Sequence, residues 1–266
     1  MTLNLTILGC GSSGGVPRIG GNWGACDPSN PKNRRRRCSL LATRTSTAGS
    51  TNVLIDTSPD LREQMLSENV KHLDAVWLTH DHADHTHGLD DLRPFFLMGR
   101  KPVPVYADAY TSNTMQRRFG YCFEGAKGYP AIAKLNELHH GQELEATGTG
   151  GNISALAIPV THGDIQALCF RFGNAAYMPD VNSINPASMA ALAGLDLLII
   201  DALRYTPHPS HFALEETLAV IAALKPKHSV ITNMHIDFDY ETLKRELPKG
   251  IEPAYDGMKL DVSDAT

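Results

Sequence analysis

The sequence predicts an α/β fold in a single domain spanning 1–266. Short apolar runs of strand length recur along the chain, with helical stretches set between them. No repeat, linker or low-complexity tract interrupts that pattern, and 147–151 reads only as a flexible turn. A further observation places the function: residues suited to metal ions stand just past the ends of apolar runs, where loops carry chemistry. A chain of 266 residues can build one large core, although two small domains would also fit that length. With 42% hydrophobic and 20% charged residues it has the composition of an ordinary soluble globular protein.

Residues 3–8 alternate apolar and polar side chains and read as the first strand. The stretch 9–15, Gly-Cys-Gly-Ser-Ser-Gly-Gly, lacks both the dinucleotide spacing and the Lys-Ser/Thr ending of a phosphate loop. A tight, close-packed turn beside the site is expected instead. Residues 16–37 are long and irregular, as functional loops often are, and end in four consecutive arginines. Such a run is either a solvated basic face or a source of guanidiniums for phosphate. Arg36 and Arg37 are the candidate phosphate contacts. Residues 39–43 and 52–55 read as strands joined by a turn at 45–50, and a helix opens at 57–60 and runs through 69. Ser58 or Asp60 is its expected cap. Asp56, at a strand end, is a candidate to orient a ligand histidine, with a plain turn carboxylate as the alternative.

Residues 73–78 form an apolar run that reads as a buried strand, and 79–87 follows it as Thr-His-Asp-His-Ala-Asp-His-Thr-His. His80, His82, Asp84 and His85 offer the imidazole and carboxylate ligands that zinc and similar ions accept. Alternate residues on an extended chain point the same way, so His80 and His82 can grip one ion. Asp84 and His85 come where the chain turns toward a second. A histidine-rich surface loop is the bland alternative, but it does not account for this density of ligands straight after a core strand. Arg93 is a candidate substrate contact, in competition with an ion pair to Asp90 or Asp91.

Val103–Ala107 reads as a strand, 110–119 as a helix and 121–134 as a loop, with His139 and His140 on the surface. A strand at 153–160 leads to His162. A hairpin, 167–172 and 174–178 around Gly173, leads to Asp180. A helix at 186–193 precedes a buried strand at 195–200 that ends at Asp201. His208 and His211 follow, and His211 stands at the mouth of a helix at 213–224, a position that favours anions. His228–Thr232 is a strand with His235 just past it. A helix at 240–247 is expected last, and the segment Met258–Val262 closes the chain.

The pattern at 80–85 resembles the signature of the metallo-β-lactamase superfamily. The resemblance implies a four-layer αββα sandwich with the site along one edge. It also implies a first ion held by His80, His82, His162 and Asp180, and a second held by Asp84, His85, His235 and the bridging Asp180. Asp180 stands where the antibiotic-degrading members often place Cys, which resembles the phosphodiesterase and thioesterase branches. The glycine-rich turn, with the Arg run followed by Ser39, is similar to the phosphoribosyl 1,2-cyclic phosphate phosphodiesterase branch. That branch carries a structural zinc on a Cys cluster and a late His. Here the loop offers only Cys26 and Cys38, and Phe238 stands at the late position, so that zinc is expected to be absent.

The implied cofactors are two divalent ions, zinc or manganese, with iron also compatible with His/Asp ligands. The implied catalytic residues are Asp84, which takes a proton from water, and His211, which protonates the leaving oxygen or holds a phosphate oxygen. His208 is its competitor. The expected substrate is a small phosphodiester, of the cyclic phosphate or nucleotide type. An RNA-processing nuclease is a poorer fit, because a net charge of −5 provides no large nucleic-acid surface. A thioesterase or lactonase of the same fold leaves the Arg run and His211 unexplained, and a non-catalytic metal-binding protein leaves the full ligand set unexplained. Five scattered cysteines and an N-terminus without a signal pattern lead us to expect a cytoplasmic protein. No membrane partner is expected, since the most apolar stretch is broken by Asp196 and Asp201. Monomer and homodimer are both compatible with the sequence.

Overall fold

The computed structural model describes residues 2–262. Its strands are β1 Thr2–Gly9, β2 Ser39–Ser46, β3 Gly49–Ile55, β4 Ala75–Trp77, β5 Val103–Ala107, β6 Ala133–Glu137 and β7 Glu143–Ala146, then β8 Ile153–His162, β9 Ile165–Phe172, β10 Ala175–Met178, β11 Leu197–Asp201, β12 His228–Thr232, β13 Ile251–Pro253 and β14 Met258–Val262. They form two seven-stranded sheets, ordered β14-β1-β2-β3-β4-β5-β6 and β13-β12-β11-β10-β9-β8-β7. Each sheet is antiparallel on one side and parallel on the other, the change falling at β3 and at β10.

The period of a strand builds the layers. Along β3, Val53 and Ile55 join the core between the sheets, while Leu54 faces the outer side. In β11, Leu197 and Ile199 face inward and Leu198 and Ile200 outward. Trp77 reaches across to Phe170 and Phe172 with ring centroids 5.6 and 5.9 Å apart, so the two sheets interlock through aromatic faces. The outer face of the first sheet is covered by α1 Leu61–Ser67, α3 Arg93–Gly99 and α4 Ala109–Glu124, with the short α2 Ala83–Thr86 near the sheet ends. That of the second is covered by α5 Pro186–Ala191 and α6 Leu214–Leu224. A last helix, α7 Tyr240–Glu246, packs on β13. The result is helix, sheet, sheet, helix, the four-layer αββα arrangement. No helix among the described residues is long and apolar enough to cross a membrane.

Several local expectations need correction. The region 121–134 is not all loop: α4 continues to Glu124, with a non-helical break at Phe119, and β6 begins at Ala133. Four strands, β6, β7, β13 and β14, were not anticipated. Each lies at a sheet edge, where one side meets solvent and the apolar alternation weakens. The helix expected from 57 starts at Leu61, and the Asp60 side chain does not cap it. Asp60 instead accepts from the Arg37 backbone N–H at 2.9 Å and pairs with Arg37 Nε at 2.8 Å. Ser58 Oγ accepts from the Asp60 N–H at 3.1 Å and donates to Gln64.

The glycine-rich turn is packed as its composition requires. A Cβ on Gly9 would lie 2.0 Å from the Arg37 carbonyl oxygen. The Gly11 N–H donates to Arg36 O at 2.8 Å and the Ser12 N–H to Met234 O at 3.2 Å, so the turn is sewn between the arginine run and the end of β12.

The arginine run is neither a solvated face nor a uniform phosphate patch. Arg35 is 2% exposed. Its guanidinium donates to Phe238 O at 2.6 Å, His235 O at 3.3 Å and Asn33 Oδ1 at 3.3 Å, and its Nη1 lies 3.8 Å from Cys26 Sγ. The Cys26 thiol also donates to Phe238 O at 3.2 Å. A buried cation of the chain's own thus ties the 16–38 loop to the segment after β12. Cys38 is remote from this knot, beside Thr232 at 3.8 Å. Arg35→Met should therefore remove the charged donor from two carbonyls and from Asn33 Oδ1 and lower stability by roughly 3 kcal/mol, read as a lower urea midpoint at unchanged slope. An unmoved midpoint would refute the role given to Arg35.

Candidate metal centre

The site forms where strands of both sheets end at one edge. Asp56 follows β3, the 79–87 loop follows β4, His162 ends β8, Asp180 follows β10, Asp201 ends β11 and Asn233 and His235 follow β12. Two of these positions, Asp56 (φ 64°) and Asn233 (φ 59°), are left-handed, a conformation that Asp and Asn enter more readily than most residues. They turn the chain sharply at the strand ends. Gly88 closes the loop: a Cβ there would lie 2.0 Å from Ser58 O.

Each buried histidine is anchored by the nitrogen that faces away from the centre. His85 Nδ1 donates to Asp56 Oδ2 at 2.7 Å. Thr79 Oγ1 donates to the same carboxylate at 2.8 Å and accepts from His80 Nδ1 at 2.9 Å. His162 Nδ1 donates to Ser210 O at 2.6 Å. These bonds fix the tautomers and leave the Nε2 lone pairs facing inward. His80 Nε2 and His85 Nε2 are buried and lack a hydrogen bond of good geometry.

Asp180 stands in the middle. Its Oδ1 lies 3.1 Å from His85 Nε2, and its Oδ2 lies 3.9, 3.6 and 3.8 Å from His80 Nε2, His162 Nε2 and His211 Nδ1. Burial would raise the Asp180 carboxyl, but the facing imidazoles, His85 first, hold it well below the usual carboxylate range. Burial pushes the His80 and His162 imidazolium forms down, which keeps these rings in the neutral, ligating form.

The donor atoms fall into three groupings that fit a cation: His80, His82 and His162; His80, His85 and Asp180; and His162, Asp180 and His211. His82 is exposed, with Nδ1 3.1 Å from His162 Nε2. The Nε2 atoms of His80 and His85, without hydrogen-bond partners beside a buried carboxylate, belong to the donor set a divalent ion requires. Asp84 lies at the rim, its Oδ2 3.5 Å from His85 Nε2. His235 stands outside the groupings: its Nδ1 is 3.1 Å from Asp237 Oδ1, and its Nε2 touches the Arg18 guanidinium.

The substrate contacts expected from sequence are corrected. Arg36 pairs with Asp256 at 3.0 Å and donates to Ser67 Oγ. Arg37 pairs with Asp60, and Arg93 pairs with Asp90 at 2.5 Å. Each of these guanidiniums is drawn to a carboxylate of its own, because pairing offsets the loss of water around it. Arg18, which the sequence reading passed over, touches the Nε2 of His235. His208 stands beside His211, ring centroids 5.2 Å apart, and accepts from the Ser210 N–H at 3.3 Å. Asp201 was also missed. It is fully buried and accepts from His211 Nδ1 at 2.8 Å and the Val181 N–H at 3.1 Å. Its signal in the sequence was a carboxylate closing an apolar run, the same signal that marked Asp56. Asn233, whose Nδ2 is 3.3 Å from Asp180 Oδ1, had no comparable signal.

The family model described as the beta-lactamase superfamily domain matches residues 51–236, which include every one of these loops after β3. The chain belongs to the metallo-β-lactamase superfamily. A solved structure of a new diphosphatase from the PhnP family is 40% identical, with 98% of each chain covered and a TM-score of 0.88. Zinc-bound PqqB from Methylobacterium extorquens (19% identical, 97% and 100% covered, TM-score 0.71) shares the metallo-β-lactamase fold, as does the short form of human tRNase Z (14%, 97% and 98%, 0.66). A curated relative, an octanoyltransferase from Porphyromonas gingivalis, is 31% identical over 263 residues. The alignment takes in 97% of this chain and 51% of that protein, so the chain spans about half the length of the curated relative it matches.

The centre predicts a response to metal alone. Zinc added to chelator-stripped protein at about a thousandfold over its Kd should stabilise the fold by roughly 4 kcal/mol. Thermal melting would show this as a higher midpoint. Asp180→Ala, which removes the central carboxylate, should abolish most of the shift. A shift of wild-type size in that variant would refute the placement of the ions around Asp180.

Proposed function

We propose that this metallo-β-lactamase-fold hydrolase is a phosphodiesterase that acts on a small phosphodiester of the cyclic or nucleotide type. The observation that carries this reading is the His211–Asp201 pair, a buried acid–carboxylate couple set against the Asp180 centre. The 40% identical diphosphatase of the PhnP family supports phosphate over other acyl substrates.

We assign two ions to the centre. One would be held by His80, His82, His162 and Asp180. The other would be held by Asp84, His85 and Asp180, with His235 completing the set once Arg18 leaves its Nε2. Two such ions would supply Lewis acidity toward the phosphate and a water ionised near neutral pH.

The chain's residues do the rest. Asp84, at the rim, accepts the proton of the attacking water. Asp56 holds His85 directly, and His80 through Thr79, so neither ring can turn. His211 protonates the departing oxygen. Burial disfavours its cation, but the hydrogen bond and charge of Asp201 outweigh that effect and raise its pKa to about 9, so it carries a proton at neutral pH. Arg18, freed from His235, has the planar fork that meets a non-bridging phosphate oxygen.

A second reading has one observation behind it, the octanoyltransferase relative, whose name points to acyl chemistry. Hydrolysis of bis-p-nitrophenyl phosphate, a cyclic nucleotide, an octanoyl thioester and a lactone, with added zinc or manganese, separates the two. Phosphodiester cleavage should dominate. Thioester cleavage with none of the diester would overturn the assignment.

His211→Ala should retain its metal and lose turnover by ~10²–10⁴ on a diester with a poor leaving group. The loss should be much smaller for p-nitrophenol, which departs without a proton. Equal losses on both would make His211 a phosphate-holding residue instead. His208→Ala is the control and should lose little on either.

A further inference from the structure

Beside His82 lies an open cleft of about 590 Å³ lined by His82, Ala83, His87, Arg118 and Phe119. One wall is the turn that carries the site histidines, and the other is α4. No carboxylate lines it.

Arg118 is fastened in place. Its Nη1 donates to the Asp81 carbonyl at 2.6 Å, and its Nη2 lies 3.6 Å from Asp81 Oδ2. Asp81 sits between His80 and His82, so this cation has a set position next to the reacting centre. The Arg118 side chain is nonetheless 43% exposed, with donors left for a ligand. Phe119 stands where α4 breaks, at φ −130° and ψ 27°. Its ring meets His87 edge-on, centroids 5.5 Å apart at 75°, and the two form an aromatic corner that lines the cleft. A fixed cation and an aromatic corner thus flank the centre on the same side.

We propose that this cleft is the subsite for the part of the substrate beyond the reacting phosphate, and that it selects a phosphorylated nucleoside. The second phosphate meets Arg118 through charge-assisted hydrogen bonds, and the base lies against Phe119. The assignment deepens the phosphodiesterase reading and rests on it for the identity of the reacting group.

The test measures binding to metal-loaded protein by calorimetry, with adenosine 3′,5′-bisphosphate, AMP and ribose 5-phosphate as ligands. Wild type should bind them in that order of affinity, with steps of about tenfold, the size of one good polar or stacking contact. Arg118→Gln should bring the bisphosphate to within about twofold of AMP and leave AMP itself unchanged. Phe119→Leu should bring AMP down to ribose 5-phosphate. Equal affinity of wild type for the three ligands would overturn the proposal. So would an Arg118→Gln variant that weakens all of them by one factor, since Arg118 would then serve only to hold Asp81. If wild type shows the binding order but cleaves no phosphodiester, the subsite stands and the reaction class assigned above falls.

Discussion

The Asp56 carboxylate is wholly buried at the end of β3, where it accepts from the Thr79 N–H, the Thr79 hydroxyl and His85 Nδ1 at 2.7, 2.8 and 2.7 Å. Much of the site's geometry depends on this one group. Burial raises its carboxyl above the usual range, and the His85 charge with the three donors only partly offsets that. The bonds couple the turn after β3 to the loop after β4, and through Thr79 they orient His80 as well as His85. The Thr79 carbonyl also accepts from the Leu168 N–H at 2.9 Å, which ties the same loop to the opposite sheet. A single buried anion thereby sets the ligand geometry on one sheet and helps register it against the other.

Asp180 and Asp201 repeat the pattern on the second sheet. Both are buried carboxylates at strand ends, and both meet histidines instead of Lys or Arg. Imidazole can share a proton with such a partner, or give up its lone pair to a cation, at modest cost near neutral pH. A guanidinium cannot do either. This explains why the arginines of the chain are drawn aside, Arg36 to Asp256, Arg37 to Asp60 and Arg35 into a knot of backbone carbonyls. The centre is left to groups whose protonation can change. Arg18 is the exception, and its contact with His235 marks the place where the chain's own cation meets a ligand nitrogen.

The substrate side is arranged around that centre with different chemistry. The rim residues Asp84 and His82, the cleft at Arg118 and Phe119, and the Arg18 segment are exposed or half-exposed, as groups that meet solvent and ligand must be. The anchors Asp56, Thr79, Asp201 and Asn233 are buried. Rigidity is concentrated behind the ligands and access in front of them, which is how a preorganised site limits the reorganisation a reaction would otherwise require.

The sequence by itself determined the α/β class and the strands of the sheet interiors, and it singled out His80, His82, His85, His162 and Asp180, which the fold brings together at one edge. Interior strands are buried on both faces or alternate sharply, and ligands cluster just past their ends, so both are local patterns. The strands β6, β7, β13 and β14 were not legible, because an edge strand is recognised by the neighbour it pairs with more than by its own residues. The partners of Arg36 and Arg37 were not legible either, whereas the Asp90 partner of Arg93 lay within one helical turn and was among the alternatives. Each meets a carboxylate, and those of Arg36 and Arg37 lie 220 and 23 residues away in the chain, so only the folded arrangement could choose between pairing and a ligand. The same holds for Asp201 on His211, Arg18 against His235, and Arg118 with Phe119 beside His82. In each case the chemistry arises from a juxtaposition that packing of the two sheets and their loops creates, and that no local stretch of the chain encodes.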